Sequence, residues 1–458
     1  LGETIYDGGP NGQRPAMAFS DSLRAAGIRL MRFKTGTPAR VDRRTLDLAE
    51  TALQAGDPDA PAFSFLTDAM PDAQTPCYLT YTNEATHAVI RANLHRAPMA
   101  NGVIEGIGPR YCPSIETKIA RFPDKERHQL FLEPEGLHTN EIYVQGMSTS
   151  LPTDVQEEFL RTIPGLQHAR MMRPGYAIEY DCLDPLQLEA SLAVKEIAGL
   201  YSAGQANGTS GYEEAAAQGL LAGINAARAC MGEEPLILRR SDGYIGVLID
   251  DLVTKGTEEP YRMMTSRAEY RLVLRQDNAD LRLTPIGRRI GLVSDARWTR
   301  FTAKRDAIRA ALAQLRETRL SPSAATEERL AAVGIPPLRT PMTLFALLAR
   351  EGDYRALAAV FDLPPLADDV REEVEIMARY DGYIRKQEEQ IARMERLEAR
   401  RIPADTDYAA IGSLRLEAAE KLAAVRPRSI GQASRISGVS PADISVLLVY
   451  LERARRTS

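Results

Sequence analysis

The sequence changes texture at Pro235, and this change limits the fold more than any other feature. Before it, short apolar runs alternate with turns rich in Gly and Pro. After it come long Leu- and Arg-rich patterns of helical period, culminating in Asp369 to Arg400, where mixed charges alternate with spaced apolar residues. Such a chain is expected to fold as a mixed α/β region followed by an all-α region. Its 458 residues suffice for two or three domains, and a hydrophobic content of 44% can fill a sizeable core.

Within the α/β part, residues 1–40 read as a loop at Gly8-Gly9-Pro10-Asn11-Gly12, an amphipathic helix, and a strand over the apolar run Ile28 to Phe33. The turn-rich stretch 41–107 reads as an inserted subdomain, with strand alternation at Cys77 to Tyr81 and a helix expected from Asn83 to Arg96. Residues 108–235 return to short strands and end in a small-residue helix from Tyr212 to Cys230, and residues 236–458 form the helical region.

Composition narrows the setting. No run of about eighteen uncharged apolar residues occurs, and Leu1-Gly2-Glu3-Thr4 has neither a basic nor an apolar leader, so no membrane insertion or secretion is expected and the cytoplasm is the default. The cysteines Cys77, Cys112, Cys182 and Cys230 form no C-x-x-C pair, and the histidines show no ligand spacing, so no metal site is expected. A net charge of -5 hides a local excess: between Tyr261 and Arg305 eleven Arg or Lys stand against four Asp or Glu. Such a run is either a solvated helical face or a surface for a polyanion.

Three segments carry chemistry. The first runs from Ile197 through Gly204-Gln205-Ala206-Asn207-Gly208-Thr209-Ser210-Gly211 into Tyr212-Glu213-Glu214. A strand, a Gly-rich loop and a helix start in this order can aim backbone N–H groups at a phosphate or an electron-rich ring edge; equally, the glycines can serve only close packing. The second is Gly108-Pro109-Arg110-Tyr111-Cys112, continuing through Glu116 and Lys118 to Arg121-Phe122. Cationic neighbours favour a thiolate, which makes Cys112 a candidate nucleophile, although a lone cysteine can also be an inert core residue. The third, Ser429 to Ser445, has the helix, Gly turn and capped helix of a helix-turn-helix DNA reader, but Ile444, Leu447 and Leu448 suit packing or a partner better than base edges.

Taken together with Lys34-Thr35-Gly36-Thr37-Pro38-Ala39-Arg40, Pro174-Gly175-Tyr176 to Asp181, Gly246 to Thr254, Glu259 to Arg271 and Asp277 to Arg282, these segments resemble the MnmG (GidA) family over nearly the whole chain. The resemblance implies α/β plus all-α architecture: a Rossmann-like FAD/NAD(P)-binding domain, incomplete at its N-terminus, with an inserted NAD-related subdomain and a helical C-terminal domain. It also implies an FAD- and NADH-dependent enzyme that adds a carboxymethylaminomethyl group to carbon 5 of the tRNA wobble uridine. Methylene-tetrahydrofolate would be the one-carbon donor, the GTPase MnmE the partner, and two dimers would assemble as a heterotetramer.

By this resemblance Gly204, Gln205, Asn207, Gly208, Gly211 and Glu213 would border FAD. Gly108, Pro109, Arg110, Tyr111, Glu116, Arg121 and Phe122 would belong to the NAD region, and Cys112 would be catalytic. Arg262, Arg267, Arg271, Arg275, Arg282, Arg288 and Arg289 would contact tRNA phosphates, and Ile430, Arg435, Ile436, Ile444 and Leu448 the partner. The family opens with a strand, a G-x-G-x-x-G turn and a helix that grip the FAD pyrophosphate, and no such segment precedes Leu1. The chain is therefore expected to be an N-terminally incomplete version that binds FAD weakly or not at all and is inactive alone. Two rival readings remain: a small-molecule flavin oxidoreductase, which needs no basic helical tail, and a helix-turn-helix nucleic-acid-binding protein, which needs neither Cys112 nor a flavin loop.

Overall fold

The computed structural model describes the whole chain apart from residues 59, 71–73, 99–101, 103, 111, 112 and 458, and leaves aside the side chains of residue 11 and residues 454–457. The chain divides into two compact units, Leu1–Pro235 with Gly256–Arg262, and Leu236–Lys255 with Met263–Ser458. The first is mixed α/β and the second almost wholly helical, the fold class expected from the sequence.

In the first unit the elements run α1 (Met17–Ala25), β1 (Leu30–Thr37), β2 (Arg40–Asp42), β3 (Ala52–Gln54), β4 (Cys77–Tyr81), α2 (Glu84–Ala92), α3 (Ile115–Arg121), β5 (Gln129–Pro134), β6 (Glu141–Gln145), α4 (Thr153–Leu160), β7 (Met171–Arg173), β8 (Tyr176–Leu183) and α5 (Tyr212–Cys230). Six strands form one sheet in the order β3-β4-β5-β6-β2-β7, each neighbouring pair antiparallel. The sheet crosses the boundary read at residue 107, because β5, β6 and β7 pair with strands from the earlier stretch. Alternate residues of a strand face the same way; Leu130 and Leu132 of β5 and Ile142 and Val144 of β6 accordingly meet Ile90 of α2, Ile119 of α3 and Phe159 of α4 in one core. The start of α2 is held by a capping box in which the Asn83 side chain accepts from Thr86 N and Thr86 Oγ1 accepts from Asn83 N.

A separate antiparallel ribbon pairs β1 with β8 from Leu30↔Leu183 to Thr37↔Tyr176. The six-stranded sheet is thus inserted between two strands that lie side by side. At the junction a Cβ on Gly175 would stand 2.7 Å from the Thr37 carbonyl oxygen, so only glycine allows this approach. Buried Gln156 fixes the crossing: its Nε2 donates to the Leu151 and Gly175 carbonyls at 2.7 and 2.8 Å, and its Oε1 accepts from Gly175 N at 2.6 Å.

The second unit contains α6 (Tyr244–Lys255), α7 (Ala279–Arg289), α8 (Asp295–Glu317), β9 (Arg319–Leu320), α9 (Ala324–Ala331), β10 (Met342–Thr343), α10 (Leu344–Glu351), α11 (Tyr354–Phe361), α12 (Asp368–Glu398), α13 (Leu416–Val425), α14 (Ile430–Ala433) and α15 (Pro441–Thr457). Val370, Val374 and Ala378 recur every fourth residue on α12 and bury against Leu312 and Leu315 of α8 and Leu347 and Leu348 of α10. Helix α15 starts as its sequence predicts. Pro441 follows Ser440, whose Oγ accepts from Asp443 N at 3.3 Å while Asp443 Oδ2 accepts from Ser440 N at 2.8 Å.

Candidate functional site

The Gly-rich loop is a 3₁₀ turn, Gly204–Asn207, leading directly into α5. Gly204, Gly208 and Gly211 have φ of +75°, +77° and +129°, the left-handed region that side chains disfavour. The space a Cβ would need is taken by protein: the Phe33 ring and Thr257 face Gly208, each 3.1 Å from that position, and Glu214 and Arg262 close on Gly211. These glycines therefore serve close packing on that side. The open side of the turn carries Gln205 and Ala206, both exposed, and the start of α5 has no side-chain cap. Glu213 is exposed in the first helical turn, while Glu214 is buried and accepts from Arg262 Nε at 3.2 Å. Two carboxylates at a helix N-terminus already answer its positive end, so the place suits the accepting edge of an uncharged ring better than a phosphate. Asn207 is fully buried, and its Nδ2 donates inward to the Ser202 carbonyl and Gln218 Oε1. It supports the turn instead of facing a ligand.

The second predicted segment flanks the same ribbon. Phe33 of β1 makes a parallel bridge to Ile107, and Lys34 N donates to the Ile107 carbonyl at 3.1 Å. A Cβ on Gly108 would sit 2.6 Å from Lys34 Cε. Phe33 thus packs against Gly208 while Lys34 packs against Gly108, and successive side chains of a strand leave by opposite faces. Burial holds the Lys34 amine below its usual range, opposed by the charges of Glu116 and Glu179. Cys112 and Tyr111 lie outside the described residues. Glu116 is buried, with Oε1 accepting from Ser150 N and Oγ, each at 3.0 Å, so it anchors the polypeptide at Ser150. Pro109 is half-buried, and Arg110, Arg121 and Phe122 are exposed.

A cleft of about 580 Å³ opens between the N-terminal segment and β8, lined among others by Tyr6, Phe19, Arg32, Tyr176, Glu179 and Tyr180. None of the described residues among 108–122 and 204–211 lines it. Tyr180 packs edge-on against Phe33, with ring centroids 6.3 Å apart, and burial pushes its phenol up to about 12. Cys182 is likewise buried, its thiol pushed up to about 12 by burial and by Asp181 and Asp184, so it is no nucleophile. The His87 and His128 rings lie tilted against each other with centroids 5.4 Å apart, burial lowers the pKa of both, and His87 Nε2 is hydrogen-bonded to Thr82 Oγ1 at 2.8 Å. Among the described residues no group of acids, histidines and cysteines could hold a metal ion, and no helix is long and apolar enough to cross a membrane.

The arginines expected to contact tRNA divide. Arg275 is held by Asp277 at 3.0 Å and Glu373 at 2.8 Å, and Arg282 donates to Asn278 Oδ1 and the carbonyls of Asp242 and Arg275. Both are spent on internal structure. Arg288 pairs with Asp295 at 2.6 Å, Arg262 pairs with Glu214, and Arg267 is half-buried. Arg271 and Arg289 are exposed. Near the C-terminus Ile430, Ile436 and Ile444 are buried in the helical unit, and Arg435 pairs with Asp250 and Glu398. Among the described residues, the large apolar side chains that α15 leaves exposed are instead Val449 and Tyr450, with Leu448 half-buried.

Lys34 and Gln218 were not singled out from the sequence. For Gln218 a signal existed: Glu214, Gln218 and Asn225 lie on the buried face of α5 with Leu221 and Ala222, and polar residues at helical spacing on an apolar face mark a buried network.

Residues 1–234 match the family model "Glucose inhibited division protein A"; residues 295–388 and 390–458 match models of the MnmG/GidA C-terminal helical domain and helical bundle. The tRNA uridine 5-carboxymethylaminomethyl modification enzyme MnmG of Caldicellulosiruptor saccharolyticus is 58% identical over all of this chain and 74% of its own length. The protein of the same name from Heliobacterium modesticaldum is 57% identical, again over the whole chain and 72% of its own length. A crystal structure of Aquifex aeolicus GidA superposes with a TM-score of 0.88 at 44% identity, covering 98% of this chain and 72% of the other. The order of the α/β and helical matches, the level of identity and the shared fold agree, and the chain belongs to the MnmG/GidA family.

Proposed function

We propose that this chain is the greater part of a cytoplasmic, homodimeric flavoenzyme that installs a carboxymethylaminomethyl group at carbon 5 of the tRNA wobble uridine, using FAD and NADH and working with the GTPase MnmE. The reading rests on one observation above others: relatives 55–58% identical over the entire chain carry that activity in their names. The turn before α5 supports it, because an uncapped helix start beside exposed Gln205 fits the accepting edge of an isoalloxazine ring. Flavin chemistry, with NADH as the hydride source, methylene-tetrahydrofolate as the carbon source and glycine or ammonium as the nitrogen source, would supply the redox and one-carbon steps that no side chain can.

The chain's own residues bind, orient and activate. Gln205 and the first N–H groups of α5 would hold the ring, and residues 108–122 would meet NADH. Exposed Arg289, and exposed Arg271 with its Nε on the Ala268 carbonyl, are the best placed of the predicted arginines to take tRNA phosphates, because neither forms an ion pair among the described residues. Val449 and Tyr450 on α15 offer an apolar face for the partner GTPase. Carbon 5 of uracil becomes nucleophilic once a nucleophile adds to carbon 6, and Cys112 is the candidate thiolate. Mass spectrometry of tRNA nucleosides from cells lacking the complete gene tests the reading: the wobble carboxymethylaminomethyl group should vanish, and its persistence would refute the function. Cys112→Ser in the complete protein should abolish the modification while leaving tRNA affinity unchanged; normal modification would remove Cys112 from the chemistry.

A further inference from the structure

The amide of Gln218 takes part in no step of the proposed chemistry, yet the turn before α5 is tied together through it. Gln218 lies in the second turn of α5 and, with Asn207, Thr209 and Glu214, is at most 3% exposed. Its Oε1 accepts from Asn207 Nδ2 at 2.8 Å, and its Nε2 donates to Thr209 Oγ1 at 2.9 Å and to the Glu214 carbonyl at 3.0 Å. Thr209 Oγ1 donates onward to the Gly204 carbonyl at 2.9 Å, and Asn207 Nδ2 also reaches the Ser202 carbonyl at 2.9 Å. Three neutral side chains therefore connect the carbonyls at 202 and 204, on the approach to the 3₁₀ turn, to one turn of a long helix.

Backbone bonds do not make this connection. Gly208 N donates to the Gln205 carbonyl, which closes the turn on itself; Ser210 N donates to the Tyr261 carbonyl and Tyr261 N to the Gly208 carbonyl, which moor it to residue 261. Without the side chains the turn would still form, but its position along and around the axis of α5 would not be set. A buried chain of fully oriented amides specifies geometry more than it adds stability, since each bond replaces one to water. Asn207 Oδ1 is buried with no hydrogen-bond partner among the described residues, so one acceptor of Asn207 stays open.

We infer that Gln218, acting through Asn207 and Thr209, is a positioning residue that sets where Gln205 and the first N–H groups of α5 meet a bound planar ring. The inference rests on the flavin reading of the turn and deepens it. An ordinary structural amide would affect stability and occupancy but would leave the properties of bound flavin as they are. The test compares Gln218→Met, Thr209→Val and Thr209→Ser in the full-length protein. FAD affinity is followed by fluorescence titration, and the visible spectrum and midpoint potential of the bound flavin are recorded alongside thermal unfolding. Gln218→Met and Thr209→Val should weaken FAD about tenfold, the worth of one buried hydrogen bond, and should shift both spectrum and potential; Thr209→Ser should keep both near the unaltered protein's values. Should Gln218→Met fail to fold, the Thr209 pair decides alone. A spectrum and potential unchanged in Thr209→Val, even at lower occupancy, would overturn the positioning role while leaving the flavin reading intact. Absence of any FAD binding by the unaltered full-length protein would overturn the flavin reading, and the inference with it.

Discussion

The Gln218 network behind the turn before α5 and the cluster joining α6 to α14 are both buried and polar, but the first is built of two amides and a hydroxyl and the second of ions. In the first unit Asn207, Thr209 and Gln218 carry no charge. In the second, Arg240, 8% exposed, reaches Asp250, Asp251 and Glu269 at 3.0, 2.8 and 2.7 Å, while Arg435 joins Asp250 at 2.7 Å and Glu398 at 2.5 Å. A neutral network that loses one member orphans one or two groups, whereas an ionic one that loses its central cation strands several charges in a poorly hydrated site. The neutral design suits a place where a ligand's fit must be adjusted. The ionic design suits a joint that must not move.

The contrast should break most visibly at Arg240. Arg240→Met leaves Asp250, Asp251 and Glu269 short of a cation and should lower the unfolding free energy by about 3–5 kcal/mol, the usual cost of removing one partner from a buried pair. Denaturant unfolding measures it, and a loss below about 1 kcal/mol, the range of a surface pair, would show that the joint is not under charge control.

A second test sharpens the comparison through pH. Burial, assisted by the neighbouring Asp277, pushes Glu373 up to about 8 from an ordinary value of 4.5. The folded unit therefore holds a proton that the unfolded chain releases, so this contribution is complete below 4.5 and is lost as pH rises through about 8. The unfolding midpoint of the protein should fall between about pH 5 and about pH 8, and Glu373→Gln should flatten that decline. The amide turn should show no such slope, so a Gln218→Met protein whose slope changed as much as that of Glu373→Gln would contradict the division.

The smallest effect separates structural from solvent-facing arginines. Arg289 is exposed, and no ion pair or side-chain hydrogen bond engages it among the described residues. Arg289→Gln should leave thermal stability unchanged and reduce the salt slope of tRNA binding by about one. Arg275→Gln should do the reverse, lowering stability because it strands Glu373 and Asp277. Equal salt slopes for the two variants would remove the distinction.

Local pattern made much of this molecule legible. The helix expected from Tyr212 to Cys230 is α5, the alternation at Cys77 to Tyr81 is β4, and the mixed-charge stretch from Asp369 is α12. These elements are written in short-range periodicity and capping. What stayed hidden depends on partners far along the chain. The pairing of Leu30 with Leu183 leaves no trace in either segment, so the sheet spanning residues 40–173 could not be bounded at its true end. Arg275 and Arg282 read as surface charge until Glu373 and Asp242 are brought beside them. Ile430, Ile436 and Ile444, expected by resemblance to meet the partner, are buried, because an apolar side chain suits a core as well as a partner and only the surrounding helices decide which. At the candidate site the glycines announced a turn, but their sequence alone did not say which side of it the protein itself would fill.

Thr37 and Tyr176 face each other across the ribbon, so the long excursion between them begins and ends at one point, although it touches the ribbon again where Ile107 meets Phe33. In principle a two-residue hairpin loop could bridge that gap. The ends of the six-stranded module therefore lie together at one end of the ribbon, while the segment at Ile107 ties the middle of the excursion back to the strand that carries Phe33.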